Sequence, residues 1–383
     1  MNFEFLKSYI SNMLRGDKVL WLVATIMALF SVLIVYSSSE GLAYRYGSAS
    51  ESFLARHAIL LGGAIFLMYV CHVVDYMRYA RFSTYLLVIA VISLVYTQLF
   101  GATLNQASRW VRIPFVGITV QTSDFAKVAL IMYVARTLAM MAKREVSMTE
   151  LAMPVLLVCG LIAPSDLSTA GILFFTCLLL MFIGKVELRN VASVLMLGIG
   201  AFAVLIALSD YIPAIRADTW VNRLKDFSNG GAAVEEETYQ VLQAKMAIAQ
   251  GGFLGVGPGN GVQSHFLPHA YSDYIYCIIV EEYGLLGAFG VLTLYMILLI
   301  RCIRLVTRSP KAFGAMLAIG LCLMMVVQAF THMAVNVNLL PVTGLTLPFI
   351  SMGGTSLMFT GISLGIILSV SKSIESGAEE AEE

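Results

Sequence analysis

Asp273 lies in the stretch Phe266-Leu267-Pro268-His269-Ala270-Tyr271-Ser272-Asp273-Tyr274-Ile275-Tyr276, where a long polar loop runs into an apolar helix. An acid at such a boundary is costly unless it has a partner or a task, so chemistry in this chain is to be sought first there. Asp273 also suits the plainer task of capping the helix that follows, where Ser272 would serve as well. Other ionisable groups fall in or beside apolar runs. Lys127 is one turn from Asp124, so it can pair with it or extend toward the surface. Asp166 follows Pro164-Ser165 and reads as a helix N-cap. Glu281 and Glu282 sit two turns into the run after Asp273, with Glu281 nearer the Asp273 face. Partnership with a lysine or with backbone is their expected role. His332, alone in its run, reads as a hydrogen-bonded packing residue. Arg109, beside Trp110, suits an interfacial anchor.

The elements that must position these groups are membrane helices. The 383 residues are 59% hydrophobic and 13% charged, against about 45–50% and 25% for a soluble domain. The expected fold is all-α and polytopic, with ten spans over 18–37, 53–74, 82–100, 124–142, 150–164, 168–185, 189–212, 273–302, 312–336 and 347–371. Zero net charge argues against nucleic acid as a partner. The six cysteines all lie in apolar runs without C-x-x-C spacing, so neither a zinc site nor a disulfide framework is indicated. The start of the chain is polar and amphipathic and does not read as a cleaved signal peptide. The 20 methionines and 21 phenylalanines are lipid-facing and packing material.

Lysine and arginine set the expected orientation. With a cytoplasmic N-terminus, most of the 24 basic residues fall on the inner side, among them Arg78, Arg136, Arg189, Arg304 and Lys372. Both termini are then cytoplasmic, and the 213–272 loop between the seventh and eighth spans is extracytoplasmic, with Asp273 at its membrane end. The expected organisation is one transmembrane domain over 1–372 and an acidic, solvated cytoplasmic tail over 373–383.

A loop of about 60 residues is long enough to be either functional or disordered. Order is expected here, because 236–250 places Val241, Ala244 and Ile248 at helical spacing, an amphipathic helix at the outer interface. Gly251-Gly252 ends it. The following Gly255-Val256-Gly257-Pro258-Gly259-Asn260-Gly261 superficially matches a dinucleotide fingerprint but lacks the strand and helix that this fingerprint requires. It reads as a backbone reversal needing positive φ, or as a close backbone approach that leaves room for a sugar or phosphate.

Five blocks, in order, resemble the SEDS family of polytopic cell-wall glycosyltransferases, which includes FtsW, RodA and SpoVE. Asn105-Gln106-Ala107-Ser108-Arg109-Trp110-Val111 is similar to G-A-x-R-W-[IL]. Gln121-Thr122-Ser123-Asp124-Phe125-Ala126-Lys127 is similar to Q-P-S-E-x-x-K. Pro164-Ser165-Asp166-Leu167-Ser168-Thr169 is similar to P-D-x-[GS]-T. The fourth block runs from Gln243 through Gly261 to Asp273 and Glu281-Glu282-Tyr283-Gly284, and the fifth covers 340–356. Thr122 stands for the usual proline, Asp124 and His269 for glutamate, and Met352 for a frequent tyrosine. Gly344-Leu345-Thr346-Leu347-Pro348 looks closer to the division-associated FtsW branch than to the elongation branch.

The resemblance implies polymerisation of lipid II into glycan strands at the outer face of the bacterial cytoplasmic membrane, at the division septum. The acceptor hydroxyl needs a base, and the polyprenyl pyrophosphate leaving group needs cations. Asp273 is then the base, supported by Ser272, Asp166 and Glu281. Arg109, Lys127 and Arg223 are the pyrophosphate-binding set, since arginine binds phosphate bidentately and lysine as a point charge. A divalent cation (Mg or Mn) could share that role, although no ligand cluster specifies one. The implied partners are lipid II, membrane lipids, a class B penicillin-binding transpeptidase and other divisome proteins. The alternatives are a RodA-like elongation polymerase, a lipid II flippase or transporter, and a non-catalytic scaffold. Ionisable groups gather in the outer half of the spans, which favours chemistry at one face over translocation. His269→Glu is expected to shift the pH profile of polymerisation without abolishing it. An unchanged profile would show that this position does not tune the base.

Overall fold

The computed structural model describes residues 15–39, 50–104, 107–112, 119–141, 144–209, 217–228, 236–268 and 270–382. His269, Asn105, Gln106 and the first fourteen residues lie outside them. Among the described residues, ten helices match the ten apolar runs. These are α1 (Lys18–Ser38), α2 (Ser50–Val73), α3 (Tyr76–Phe100), α4 (Thr122–Met141), α5 (Met148–Ile162), α6 (Leu167–Ile183), α7 (Leu188–Ala207), α10 (Ile275–Arg308), α11 (Ala312–Asn336) and α12 (Thr355–Glu382). Seven are long and apolar enough to cross a membrane, namely α1, α2, α3, α7, α10, α11 and α12. Helices α5 and α6 are shorter and apolar. Helix α4 has 20 residues but carries Asp124, Lys127 and Arg136.

Helix α11 lies at the centre, packed against α10, α4, α12 and α6, and is buried along most of its length. Helix α7 is the opposite case. Val194 is its one buried residue, and Leu188, Met196, Leu197 and Ile199 are exposed. Apolar side chains all around a helix that leaves its flank uncovered suit a lipid neighbour rather than water. Lipid tails are as apolar as leucine, so helix association here depends on close packing more than on removal from water. The α2–α12 contact shows this. A Cβ on Gly361 would lie 2.4 Å from the Ala64 carbonyl oxygen, and one on Gly365 would lie 2.2 Å from that of Met68. This G-x-x-x-G spacing lets the two backbones touch.

Among its described residues the 213–272 region holds two α-helices, α8 (Ala217–Ser228) and α9 (Glu236–Gly251), and a short 3-10 turn, Gln263–His265. The expected 236–250 helix is present, with Ala244 and Ala247 buried against α10. Hydropathy did not predict α8. The glycine run after α9 makes no nucleotide cradle. It lies backbone to backbone on a kink in α10 at Gly284 (φ 63°, ψ −161°). Val256 N donates to Glu281 O (2.9 Å), Gly257 N to Glu282 O (3.0 Å) and Leu285 N to Gly252 O (3.1 Å). A Cβ on Gly255 would lie 2.2 Å from Glu282 O. The glycines thus serve close approach and positive φ at once, and the loop amides satisfy carbonyls that the kink frees from the helix.

Two other departures from the sequence reading matter. A small antiparallel sheet, β1 (Ala102–Leu104), β2 (Ala107–Arg112) and β3 (Thr119–Gln121), links α3 to α4 in the order β1-β2-β3. Its ladder satisfies backbone groups that an irregular connection would leave open. The last helix also starts at Thr355, not 347, and continues to Glu382. Pro348, Phe349 at φ 64° and Gly354 at φ 58° keep the stretch before Thr355 out of the helix. Its apolar residues Leu347, Phe349 and Ile350 are nevertheless fully buried, so hydropathy alone reads them as span.

Gly365→Leu is expected to lower stability by about 1–3 kcal/mol through overpacking at α2. Gly290→Ala, with open space around the added methyl, is expected to be neutral or stabilising by about 0.5–1 kcal/mol. Thermal unfolding of the detergent-solubilised variants separates the two.

Candidate functional site

A cavity of about 720 Å³ opens among α2, the sheet, α4, α8, α11 and the 341–354 segment. Asp273, Ser272, Lys127, Asp166 and Arg223 all line it. The structure therefore brings together residues from four separate regions of the chain. Arg109 lies in β2 beside Trp110, and Trp110 lines the cavity. The side chain of Arg109 is outside the described residues. Glu281 is not in the cavity wall. Its Oε1 accepts from the amides of Val262 (2.8 Å) and Gln263 (3.1 Å), the backbone partnership its burial requires.

Asp273 is not the N-cap residue of α10: the helix begins at Ile275, and Tyr274, its N-cap residue, makes no side-chain cap hydrogen bond. Asp166 does cap α6, accepting from Thr169 N at 3.1 Å, and so fixes one wall of the cavity. Lys127 Nζ lies 2.7 Å from Asp124 Oδ1 and donates to Gln328 Oε1 at 3.4 Å. Both charges are buried, so each holds the other in place, and the second Asp124 oxygen has no hydrogen-bond partner among the described residues. Lys127 faces the cavity with much of its charge already balanced. Arg56 of α2 and Arg223 of α8 supply further positive charge.

Arg56, Gln328, Asn336, Tyr271 and Thr346 escaped the sequence reading as site components. Arg56 reads there only as a basic loop residue, and nothing local distinguishes it. Gln328 and Asn336 flank His332 at four-residue intervals on α11. That spacing marks one helical face and was the available signal for a polar stripe. Tyr271 and Thr346 also reach the cavity.

The 341–354 segment runs between α11 and α12, and its carbonyls are met by side chains from other helices. Leu345 O accepts from His332 Nδ1 (2.7 Å) and Thr346 O from Gln328 Nε2 (2.9 Å). Pro348 O accepts from the Tyr295 hydroxyl, and Ile350 O from Ser31 Oγ (2.7 Å). Because Ser31 gives its proton to Ile350, His57 Nε2 at 2.8 Å must donate to Ser31. The polar residues buried in α1, α2, α10 and α11 thus hold one cavity wall.

Among the described residues no group of three or more His, Cys, Asp and Glu is arranged to hold a metal. Asp124 is paired with Lys127 and Asp166 with the α6 cap, so the cavity acids do not form a ready ligand set.

The fold and site define a polytopic helical membrane protein with a polar, partly cationic cavity. The family model described as cell cycle protein, of FtsW, RodA and SpoVE, matches residues 17–376, and the chain belongs to that family. It is similar to the "Probable peptidoglycan glycosyltransferase FtsW" of Geobacter metallireducens, 32% identical over 381 residues, covering 97% of this chain and 98% of that protein. Its fold resembles the crystal structure of the rod shape determining protein RodA of Thermus thermophilus, with TM-score 0.69, 22% identity and coverage of 94% of this chain and 98% of that one. A chain from a structure described as "Structural coordination of polymerization and crosslinking by a peptidoglycan synthase complex" is also similar, with TM-score 0.72, 22% identity and the same coverage.

Lys127→Met is expected to cost about 3–5 kcal/mol of stability, because it leaves Asp124 buried without its countercharge. The double variant Asp124→Leu/Lys127→Met should lose much less. A thermal double-mutant cycle in detergent reads the coupling, and a zero coupling would show that the pair carries no charge compensation.

Proposed function

We propose that this chain is a peptidoglycan glycosyltransferase that polymerises lipid II at the outer face of the bacterial cytoplasmic membrane, for septal wall synthesis in cell division. The observation that carries the reading is that Asp273, Lys127 and Arg223 line one cavity. Asp273 takes the proton from the acceptor sugar hydroxyl as that oxygen attacks the donor's anomeric carbon. The bond to the polyprenyl pyrophosphate breaks, and Arg223, Arg56, Lys127 and Arg109 balance the charge of the leaving diphosphate. One carboxylate suffices, unlike the carboxylate pair of glycoside hydrolases, because pyrophosphate leaves as an anion and needs no general acid.

The orientation that supports this reading follows from the lysine and arginine bias, with both termini cytoplasmic and 213–272 outside. The domain reading is a single unit over 1–372 with a cytoplasmic acidic tail over 373–383. A class B penicillin-binding transpeptidase and other divisome proteins are the proposed partners, and the name of the Geobacter relative supports the division role over elongation.

Purified protein with its transpeptidase partner, given fluorescent lipid II, should make glycan chains resolvable on a gel. Asp273→Asn is expected to lower the rate by at least about 100-fold. Arg223→Ala is expected to lower kcat/KM by about tenfold or more, the loss of a charge-assisted hydrogen bond. Polymer made equally well by Asp273→Asn would remove its assigned role. No polymer from the wild type with its partner, together with lipid II transfer between leaflets, would favour a transporter.

A further inference from the structure

The turn that carries Asp273 is held from outside itself. Three successive carbonyls each accept from a donor in the C-terminal part of the chain. Tyr271 O accepts from Met352 N at 3.1 Å, Ser272 O from Ser351 Oγ at 2.8 Å, and Asp273 O from Asn336 Nδ2 at 3.0 Å. Tyr274, the N-cap residue of α10, makes no side-chain cap hydrogen bond, and the three carbonyls before it are met by these tertiary donors.

Asn336 does the most. It is the last residue of α11 and is buried. Its Oδ1 accepts from Cys277 N at 3.2 Å, so one amide bridges the turn and the first turn of α10. Its Nδ2 also donates to His332 O at 3.0 Å, which ties the side chain to α11. The amide has one workable orientation. Reversed, its oxygen would face two carbonyl oxygens and its NH2 would face an N–H. Ser351 is held in turn, accepting from Leu347 N at 2.8 Å.

We infer that Asn336, assisted by Ser351, is a positioning residue for Asp273 that sets where its carboxylate stands in the cavity. The inference rests on the reading of Asp273 as the base. A general base acts only within hydrogen-bond reach of its proton, and a misplacement of about 1 Å can cost about 100-fold in rate. Aspartate and leucine at position 336 keep the approximate shape and lack the donor to Asp273 O. Aspartate also keeps the acceptor for Cys277 N, which leucine does not.

The test uses the full chain with its partner, in the same fluorescent lipid II assay. Asn336→Asp is expected to lower kcat by about 10- to 100-fold while KM stays within about twofold. Ser351→Ala, on a separate element, should show the same split with a smaller loss. Both should change the pH profile of kcat, because a displaced carboxylate meets a different surrounding field. A role in packing alone would lower the yield of folded protein and leave kcat per folded molecule unchanged, and that result overturns the inference. A rise in KM at unchanged kcat overturns it too. Where Asn336→Asp does not purify as monodisperse protein, Ser351→Ala decides by the same criteria. Full activity in Asp273→Asn would instead sink the base reading itself, so the two failures are distinguishable.

Discussion

A peptide carbonyl buried away from water must find a donor, and in this protein that requirement falls hardest on the 341–354 segment. The segment leaves the helical path under Pro348 and the positive-φ residues Gly344, Phe349 and Gly354, so its carbonyls lack the donors a helix would provide. Ser31, Tyr295, Gln328 and His332 supply them from three helices. Irregular backbone is tolerated inside a membrane protein only where protein or a polar cavity receives it. Here both conditions hold, since one face of the segment meets α11 and the other lines the cavity. The polar stripe on α11 and the shape of the site therefore have one cause.

The same economy governs charge. Two buried ions are costly to remove from water, and their attraction repays that cost only with good geometry. Asp124 and Lys127 meet this condition at one helical turn and 2.7 Å. Arg56 and Arg223, nearer to solvent than Lys127, line the same cavity. A cavity with its countercharges arranged in advance can meet a developing negative charge without rearranging. That property suits the proposed departure of a diphosphate.

The glycine run after α9 shows how composition can suggest the wrong ligand. Its spacing imitates a phosphate-binding fingerprint, yet its amides face the carbonyls of a kinked helix. Gly255 and Gly284 have no Cβ because another backbone occupies the space where one would be. The loop thereby closes over Glu281, whose carboxylate receives two of its amides. Glu281 supports the frame that leads to Asp273 from a place outside the cavity.

What the sequence determined by itself is what depends on neighbours along the chain. Ten apolar runs became ten helices because length and hydropathy are local properties, and the 236–250 helix followed from its own periodicity. The pairing of Asp124 with Lys127 and the cap at Asp166 lie within one turn, so spacing reveals them. The tertiary structure decided the rest. Asp273 also suited a helix cap, and only the start of α10 at Ile275 gave the N-cap position to Tyr274. The apolar 347–350 stretch read as span because burial and helicity share one hydropathy signal, although proline and positive φ made it a turn. Arg56 has no local mark of function, and the four-residue spacing of Gln328, His332 and Asn336 marks a polar helical face without saying what that face holds. Their places beside the cavity and the Asp273 turn arise from contacts between segments far apart in sequence, which no local pattern encodes.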